Sequence, residues 1–115
     1  MRFHHYGIEV ENLEESTTFY QEIFGLEIET RFSFMNEEIV FLTSDDIRLE
    51  LIETSEHDKT THICFEVNDL HEAIKKLNRI RRLEGPYKLE NGWETVFYEG
   101  PNQEILEFIQ IGNTL

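Results

Sequence analysis

The sequence predicts an α+β fold in which one unit is written twice. Three observations carry this. Residues 5–17 return at 62–74 with an offset of 57, and five of the positions are identical: His, Glu, Val, Leu and Glu. The same offset carries Leu49-Glu50-Leu51-Ile52 onto Leu106-Glu107-Phe108-Ile109. Each copy also reads, by local patterning, as strand, helix and three strands. An internal period of this length governs architecture, and this element order places a helix over one face of each sheet. A chain of 115 residues is expected to form a single domain, with module one over about 1–55 and module two over about 60–115.

The first strand covers residues 3–10. His5, Gly7 and Glu9 share one face, and Tyr6, Ile8 and Val10 share the other. The apolar face should meet a helix and the polar face a cavity or water. Asn12 is a suitable helix N-cap, with Glu14 and Glu15 favourable in the first turn. The helix should run to about Phe24, burying Leu13, Tyr20, Ile23 and Phe24, and Gly25 should stop it. Strands follow at 26–34, 38–43 and 47–53, with turns at Asn36 and Ser44-Asp45-Asp46. Glu50 alternates with Leu49 and Leu51 and so points away from the apolar face. Residues 54–60 read as a linker.

The second copy repeats this plan. A strand covers 62–67, and Asp69 should cap a helix from Leu70 to about Arg82, with Leu70, Ala73, Ile74, Leu77 and Ile80 at helical spacing. Gly85-Pro86 should break the chain. A strand near 87–90, a hairpin turn at Asn91-Gly92, and strands at 93–99 and 104–111 complete the unit.

Composition narrows the function classes. Hydrophobic content of 39% with nine Phe indicates a globular chain. Ten Lys+Arg against 24 Asp+Glu give a net charge of −14, a field that repels nucleic acid and anionic membrane. Neither is expected as a partner. A lone cysteine, Cys64, allows no internal disulfide and suits a reducing cytosol. No apolar run approaches the roughly 20 residues of a membrane helix. Met1-Arg2-Phe3-His4-His5 lacks the apolar region of a signal peptide. A soluble cytoplasmic protein is the expectation.

Four residues occupy repeat-equivalent places: His5 with His62, and Glu50 with Glu107. All four belong to the strand face turned away from the helix. If the two units pair about a pseudo-twofold axis, the four side chains can converge. Two imidazoles and two carboxylates suit a divalent zinc, nickel, cobalt, manganese or iron ion. A buried carboxylate between apolar residues is costly unless it is paired or metal-bound, and here the pattern occurs twice at the same spacing. His4 points to the opposite side. His57 and His71 fall in the linker and on an exposed helix face. Cys64 shares the face of His62 and reads as small buried filler. Arg31 and Lys88 are repeat-equivalent cations that could anchor an anionic substrate, although surface charge explains them too. Trp93, Phe97, Phe34 and Phe41 could wall a pocket or fill the core.

These features resemble the vicinal oxygen chelate superfamily, which includes glyoxalase I, methylmalonyl-CoA epimerase, fosfomycin-resistance proteins, extradiol dioxygenases and bleomycin-binding proteins. The resemblance rests on His5-Tyr6-Gly7-Ile8-Glu9-Val10, Phe19-Tyr20, Phe24-Gly25-Leu26, Leu49-Glu50-Leu51, His62-Ile63-Cys64-Phe65-Glu66-Val67, Glu84-Gly85-Pro86-Tyr87 and Gly100-Pro101-Asn102 leading into Leu106-Glu107. It implies two βαβββ modules with mixed sheets curled into a cup around a metal. The ligands come from the first and last strands of each module, within a chain or across a homodimer. With Glu50 as second ligand the set is His-Glu-His-Glu, as in glyoxalase I-like members. Four residues after the first ligand, glyoxalase I typically has an Arg that holds glutathione; this chain has Glu9.

The resemblance therefore implies a divalent-metal-dependent lyase or isomerase acting on a small carbonyl compound or its thiol adduct. The ion would be the Lewis acid, and Glu50 or Glu107 the base. A small-molecule or drug-sequestering protein and an extradiol-type dioxygenase are the alternatives.

Overall fold

The computed structural model describes residues 1–112. Among them are eight strands and two helices, and the chain forms two compact units. The first unit is His5–Thr61; the second is Met1–His4 together with the chain from His62 onward.

The first unit takes β1 (Arg2–Val10) from His5 onward, then α1 (Leu13–Phe24), β2 (Glu27–Phe34), β3 (Glu37–Ser44) and β4 (Ile47–Glu53). The strand order is β2-β3-β4-β1. β1 lies parallel to β4, and the other neighbours are antiparallel. The alternation read from the sequence decides the layering. Val40, Leu42, Leu49 and Leu51 point to one face and bury against Leu13 and Leu26, joined by Ile8, Val10 and Tyr20. Asn12 caps α1 by accepting from the Glu15 N–H at 3.0 Å. Gly25 ends the helix in the left-handed region (φ 70°) and returns its N–H to Gln21 O.

One expectation for this helix fails. Leu13 and Thr17 are its buried residues, whereas Ile23 and Phe24 are 63% and 60% exposed. The buried stripe runs through Leu13, Thr17 and Tyr20, and Ile23 lies off it. Phe24 is on the stripe but in the last turn, where it stacks on Tyr20 at 5.8 Å.

The second unit holds β5 (Thr61–Glu66), α2 (Leu70–Lys76), β6 (Arg82–Lys88), β7 (Glu94–Glu99) and β8 (Ile105–Gln110), in the strand order β5-β8-β7-β6. β5 lies parallel to β8, as β1 does to β4. Val67, Leu70, Val96, Tyr98 and Phe108 form its core, with Phe65, Ala73, Ile74, Leu77 and Ile80 packed on it. Asp69 caps α2 through Glu72 N–H at 3.1 Å.

The helix expected to reach Arg82 ends at Lys76, and the strand expected near 87–90 is β6, Arg82–Lys88. The Leu77 N–H is shared between Ala73 O and Ile74 O, and Ile80 N–H bonds Leu77 O at 3.4 Å. Successive turns thus bring Leu77 and Ile80 to the core, and apolar spacing alone does not distinguish them from a continuing helix. Gly85-Pro86 does not break the chain; it sits inside β6, where the register to β7 shifts between Glu84 and Tyr87. Asn91-Gly92 turns the next hairpin as expected, with Gly92 at φ 91° and Leu89 N–H on Trp93 O at 2.7 Å.

Met1–His4 pack with the second unit. Arg2 pairs with Glu66 at 2.8 Å, and the Phe3 ring meets Phe65 edge-on. No helix among the described residues is long and apolar enough to cross a membrane.

Candidate metal centre

Each unit presents one histidine and one glutamate on the sheet face opposite its helix. In the first unit the parallel ladder sets Gly7 beside Glu50. His5 lies two residues before Gly7, so its side chain leaves the same face. Its Nε2 lies 3.0 Å from Glu50 Oε1. In the second unit the ladder sets Cys64 beside Glu107, and His62 Nε2 lies 3.1 Å from Glu107 Oε1. Both pairs repeat with the offset of 57 seen in the sequence. His5, Glu50 and Glu107 are buried, and the His62 side chain is 10% exposed.

An aromatic ring flanks each imidazole. Phe41, the ladder partner of Glu50 on β3, meets His5 edge-on at 5.0 Å and stacks on Phe32. Phe97, the ladder partner of Glu107 on β7, meets His62 edge-on at 6.2 Å. These rings present an apolar edge to each imidazole.

The donor chemistry fits a divalent cation. A ring nitrogen and a carboxylate oxygen about 3 Å apart repel unless a proton or a cation sits with them. Imidazole nitrogen and carboxylate oxygen are the donors of zinc and its transition-metal neighbours. Burial makes an unneutralised carboxylate expensive, and a bound cation would offset that cost at each pair.

The remaining histidines, the cysteine and the two repeat-equivalent cations are placed as follows. His4 is buried and its ring meets Trp93 edge-on at 5.4 Å. His57 is exposed in the linker, and exposed His71 reaches only to 4.0 Å from Glu94. Cys64 is fully buried on the His62 face. Arg31 is not on the His–Glu face, because its side chain pairs with Glu14 of α1 on the helix side. Lys88 lies opposite Glu94 in the ladder, the acid that approaches His71 of α2, and so shares that helix side. Neither is placed to anchor a substrate at the pairs.

Four residues have partners the sequence did not announce. Thr95, 1% exposed, sets its Oγ1 2.5 Å from Glu107 Oε2 and 3.2 Å from Phe108 O. Glu53 and Gln110, also 57 apart, each end a last strand and accept from the first N–H of the unit's helix, Leu13 at 2.9 Å and Leu70 at 2.7 Å. These bonds tie the strand bearing each site glutamate to its helix. Glu9, where glyoxalase I carries a cation, accepts from Thr60 N–H at 2.9 Å and donates its own N–H to Thr60 O at 3.0 Å. Its carboxylate fastens the linker.

Acidic groups act on Glu37 at the start of β3. Burial raises the pKa of Glu37 above its ordinary value; the Thr54 side chain opposes this, and Glu9, Glu56 and Glu50 reinforce it.

Comparison with known proteins identifies the family and the fold. The family model described as Glyoxalase/Bleomycin resistance protein/Dioxygenase superfamily matches residues 2–108. The chain is 31% identical over 122 aligned positions to uncharacterized protein YwbC of Bacillus subtilis, covering 95% of this chain and 97% of that protein. It is 31% identical over 127 positions to a lactoylglutathione lyase of Neisseria meningitidis, covering 96% and 91%. Methylmalonyl-CoA epimerase from Mycobacterium tuberculosis superposes with a TM-score of 0.82 at 13% identity, covering 96% of this chain and 88% of that one. Hypothetical protein BH1468 from Bacillus halodurans does so at 0.82 and 18%, covering 99% and 96%. The structural likenesses show the glyoxalase-like α+β fold. The chain belongs to the glyoxalase/bleomycin resistance/dioxygenase superfamily.

Proposed function

We propose that this protein is a divalent-metal-dependent lyase or isomerase acting on a small carbonyl compound or its thiol adduct. The observation that carries the reading is the buried His–Glu pair repeated in both units, at 3.0 and 3.1 Å. His5, Glu50, His62 and Glu107 would together hold one divalent ion, within a chain or across a homodimer. When bound, that ion supplies the Lewis acidity that makes a carbon next to a carbonyl acidic.

The chain's own groups divide the remaining work. His5 and His62 act as ligands and not as bases, since a nitrogen committed to a metal has no lone pair for a proton. One carboxylate, Glu50 or Glu107, takes the proton from the substrate carbon and returns it to the neighbouring atom. Phe41 and Phe97 exclude water beside the imidazoles, which strengthens the electrostatic interactions of the pairs. Glu9 and the neighbouring Glu37 disfavour an anionic tail such as the glutathione carboxylates. A small neutral carbonyl compound, or its adduct with a thiol lacking those charges, is the substrate class that fits.

The test is solvent hydrogen exchange. Metal-loaded protein is incubated in deuterium oxide with 2-oxoaldehyde adducts of uncharged thiols, and incorporation at the carbon next to the carbonyl is followed by NMR. Exchange should occur, stop on chelation, and fall by at least about 100-fold in whichever of Glu50→Gln or Glu107→Gln removes the base. Absence of exchange, combined with small-molecule binding that survives His5→Ala, would replace the enzyme reading with sequestration.

A further inference from the structure

We infer that Thr95 is the positioning residue that fixes Glu107 as a ligand. The inference deepens the metal-centre reading and rests on it. Thr95 is on β7, two residues before Phe97, and its ladder partner is Ile109. Glu107 is two residues before Ile109, so Thr95 and Glu107 emerge on one sheet face as diagonal neighbours. Thr95 Oγ1 is 2.5 Å from Glu107 Oε2 and 3.2 Å from Phe108 O. A hydroxyl has one proton to donate, and the carboxylate is both the nearer and the charged acceptor. The bond leaves Oε1 as the oxygen turned to His62 Nε2, at 3.1 Å.

Three features make this a device for orientation. Thr95 is 1% exposed, so water does not compete for the hydroxyl. Its β-branched side chain on a strand has few rotamers to lose. Its strand is the one that also carries Phe97 beside His62, so ring and hydroxyl move together. A bound carboxylate that accepts such a bond is held at one angle, and loss of an outer partner of this kind typically weakens metal affinity. The assignment concerns ligand geometry and holds whichever glutamate carries the proton.

The experiment is a cobalt(II) titration of the full chain, read by visible absorption and by competition with a chelator. Thr95→Val and Thr95→Ala remove the hydroxyl and Thr95→Ser retains it; Glu107→Ala is the control. Wild type should bind cobalt, and Glu107→Ala should abolish the wild-type spectrum. Thr95→Val and Thr95→Ala should bind about 10–100-fold more weakly with an altered band, and Thr95→Ser within about 3-fold of wild type. If the Val variant does not fold, the Ala and Ser variants decide, because they differ only in the hydroxyl. Wild-type affinity in the Val and Ala variants, or Ser as weak as Ala, overturns the inference while leaving the metal centre standing. No cobalt binding by wild type, or binding unchanged in Glu107→Ala, removes the metal centre and the inference together.

Discussion

The two units share the register of their parallel ladder and a His–Glu pair, yet the antiparallel hairpins beside them differ. In the first unit, Ser44 pairs with Ile47 across a two-residue turn at Asp45-Asp46, and Glu50 stands opposite Phe41. In the second, Glu99 pairs with Ile105, Gly100 N–H bonds Glu104 O at 2.8 Å, and Gln103 takes φ 68°. The longer turn shifts the ladder by one residue, so Phe97 faces Glu107 although the 57-residue offset would bring Tyr98 there. Tyr98 is instead buried in the helix-side core. The two turns differ, but each puts a phenylalanine beside its histidine. What the units hold in common is therefore the site face, and the hairpins that frame it are free to vary. The position of Thr95 in the second unit is taken by Ile39 in the first, opposite Ile52 as Thr95 is opposite Ile109.

Substitutions can break this comparison or sharpen it. The largest effect should come from the equivalent core residues Leu51 and Phe108, which are 0% and 5% exposed. Leu51→Ala should cost about 2–5 kcal/mol and Phe108→Ala about 3–5 kcal/mol in urea unfolding. A loss under about 1 kcal/mol at either would mean that unit's core is not packed as described.

Gly85 has no counterpart in the first unit. At φ 94°, a Cβ there would lie 3.0 Å from Thr95 O and 3.2 Å from Val96 Cα. Gly85→Ala should cost about 1–3 kcal/mol. Because the clash falls on the strand carrying Thr95, it should also weaken cobalt binding. Unfolding at the wild-type midpoint would show that β6 adapts without moving β7.

The caps should behave alike. Asn12→Ala and Asp69→Ala each remove an acceptor from one helix N–H, at 3.0 and 3.1 Å, and should each cost about 1 kcal/mol. A large inequality would show that the shorter α2 depends on its cap in a way α1 does not.

The smallest effect separates the units by pH. Burial raises the pKa of Glu37, so its ionised form is disfavoured in the fold. A carboxylate raised on folding stabilises fully below its ordinary value of 4.5, and that stability is lost as pH climbs through the folded value. Glu37→Gln should therefore be slightly more stable than wild type at neutral pH, with the difference closing as the solution is acidified. Thermal unfolding at several pH values measures this; a variant less stable than wild type at neutral pH would contradict the assignment.

The geometry of the two candidate pairs was largely legible because strand alternation and the repeat both constrain it. His5 and Glu50 fall on the polar face by parity, and the offset then nominates His62 and Glu107. Thr95 was not legible: between Glu94 and Val96 it reads as an ordinary β-former, and only the β7–β8 register puts its hydroxyl on Glu107. Glu53 and Gln110 obey the offset, but nothing local says that an end-of-strand side chain will accept from a helix N–H. The early end of α2 was hidden because turns and helix place Leu77 and Ile80 on the core with similar spacing. Packing of Met1–His4 with the second unit depends on Glu66, Phe65 and Trp93, all distant in sequence.

The most direct test of the central claim is metal content. Elemental analysis of the purified, untagged protein, of His5→Ala and of Glu107→Ala should accompany thermal unfolding with and without a chelator. The account predicts about one divalent ion per chain in wild type, as a single four-ligand centre requires. It also predicts loss of the ion from both variants and a stabilisation that the chelator reverses. Retention of metal in both variants, or no metal and no stabilisation by nickel, zinc, cobalt, manganese or iron, would contradict it.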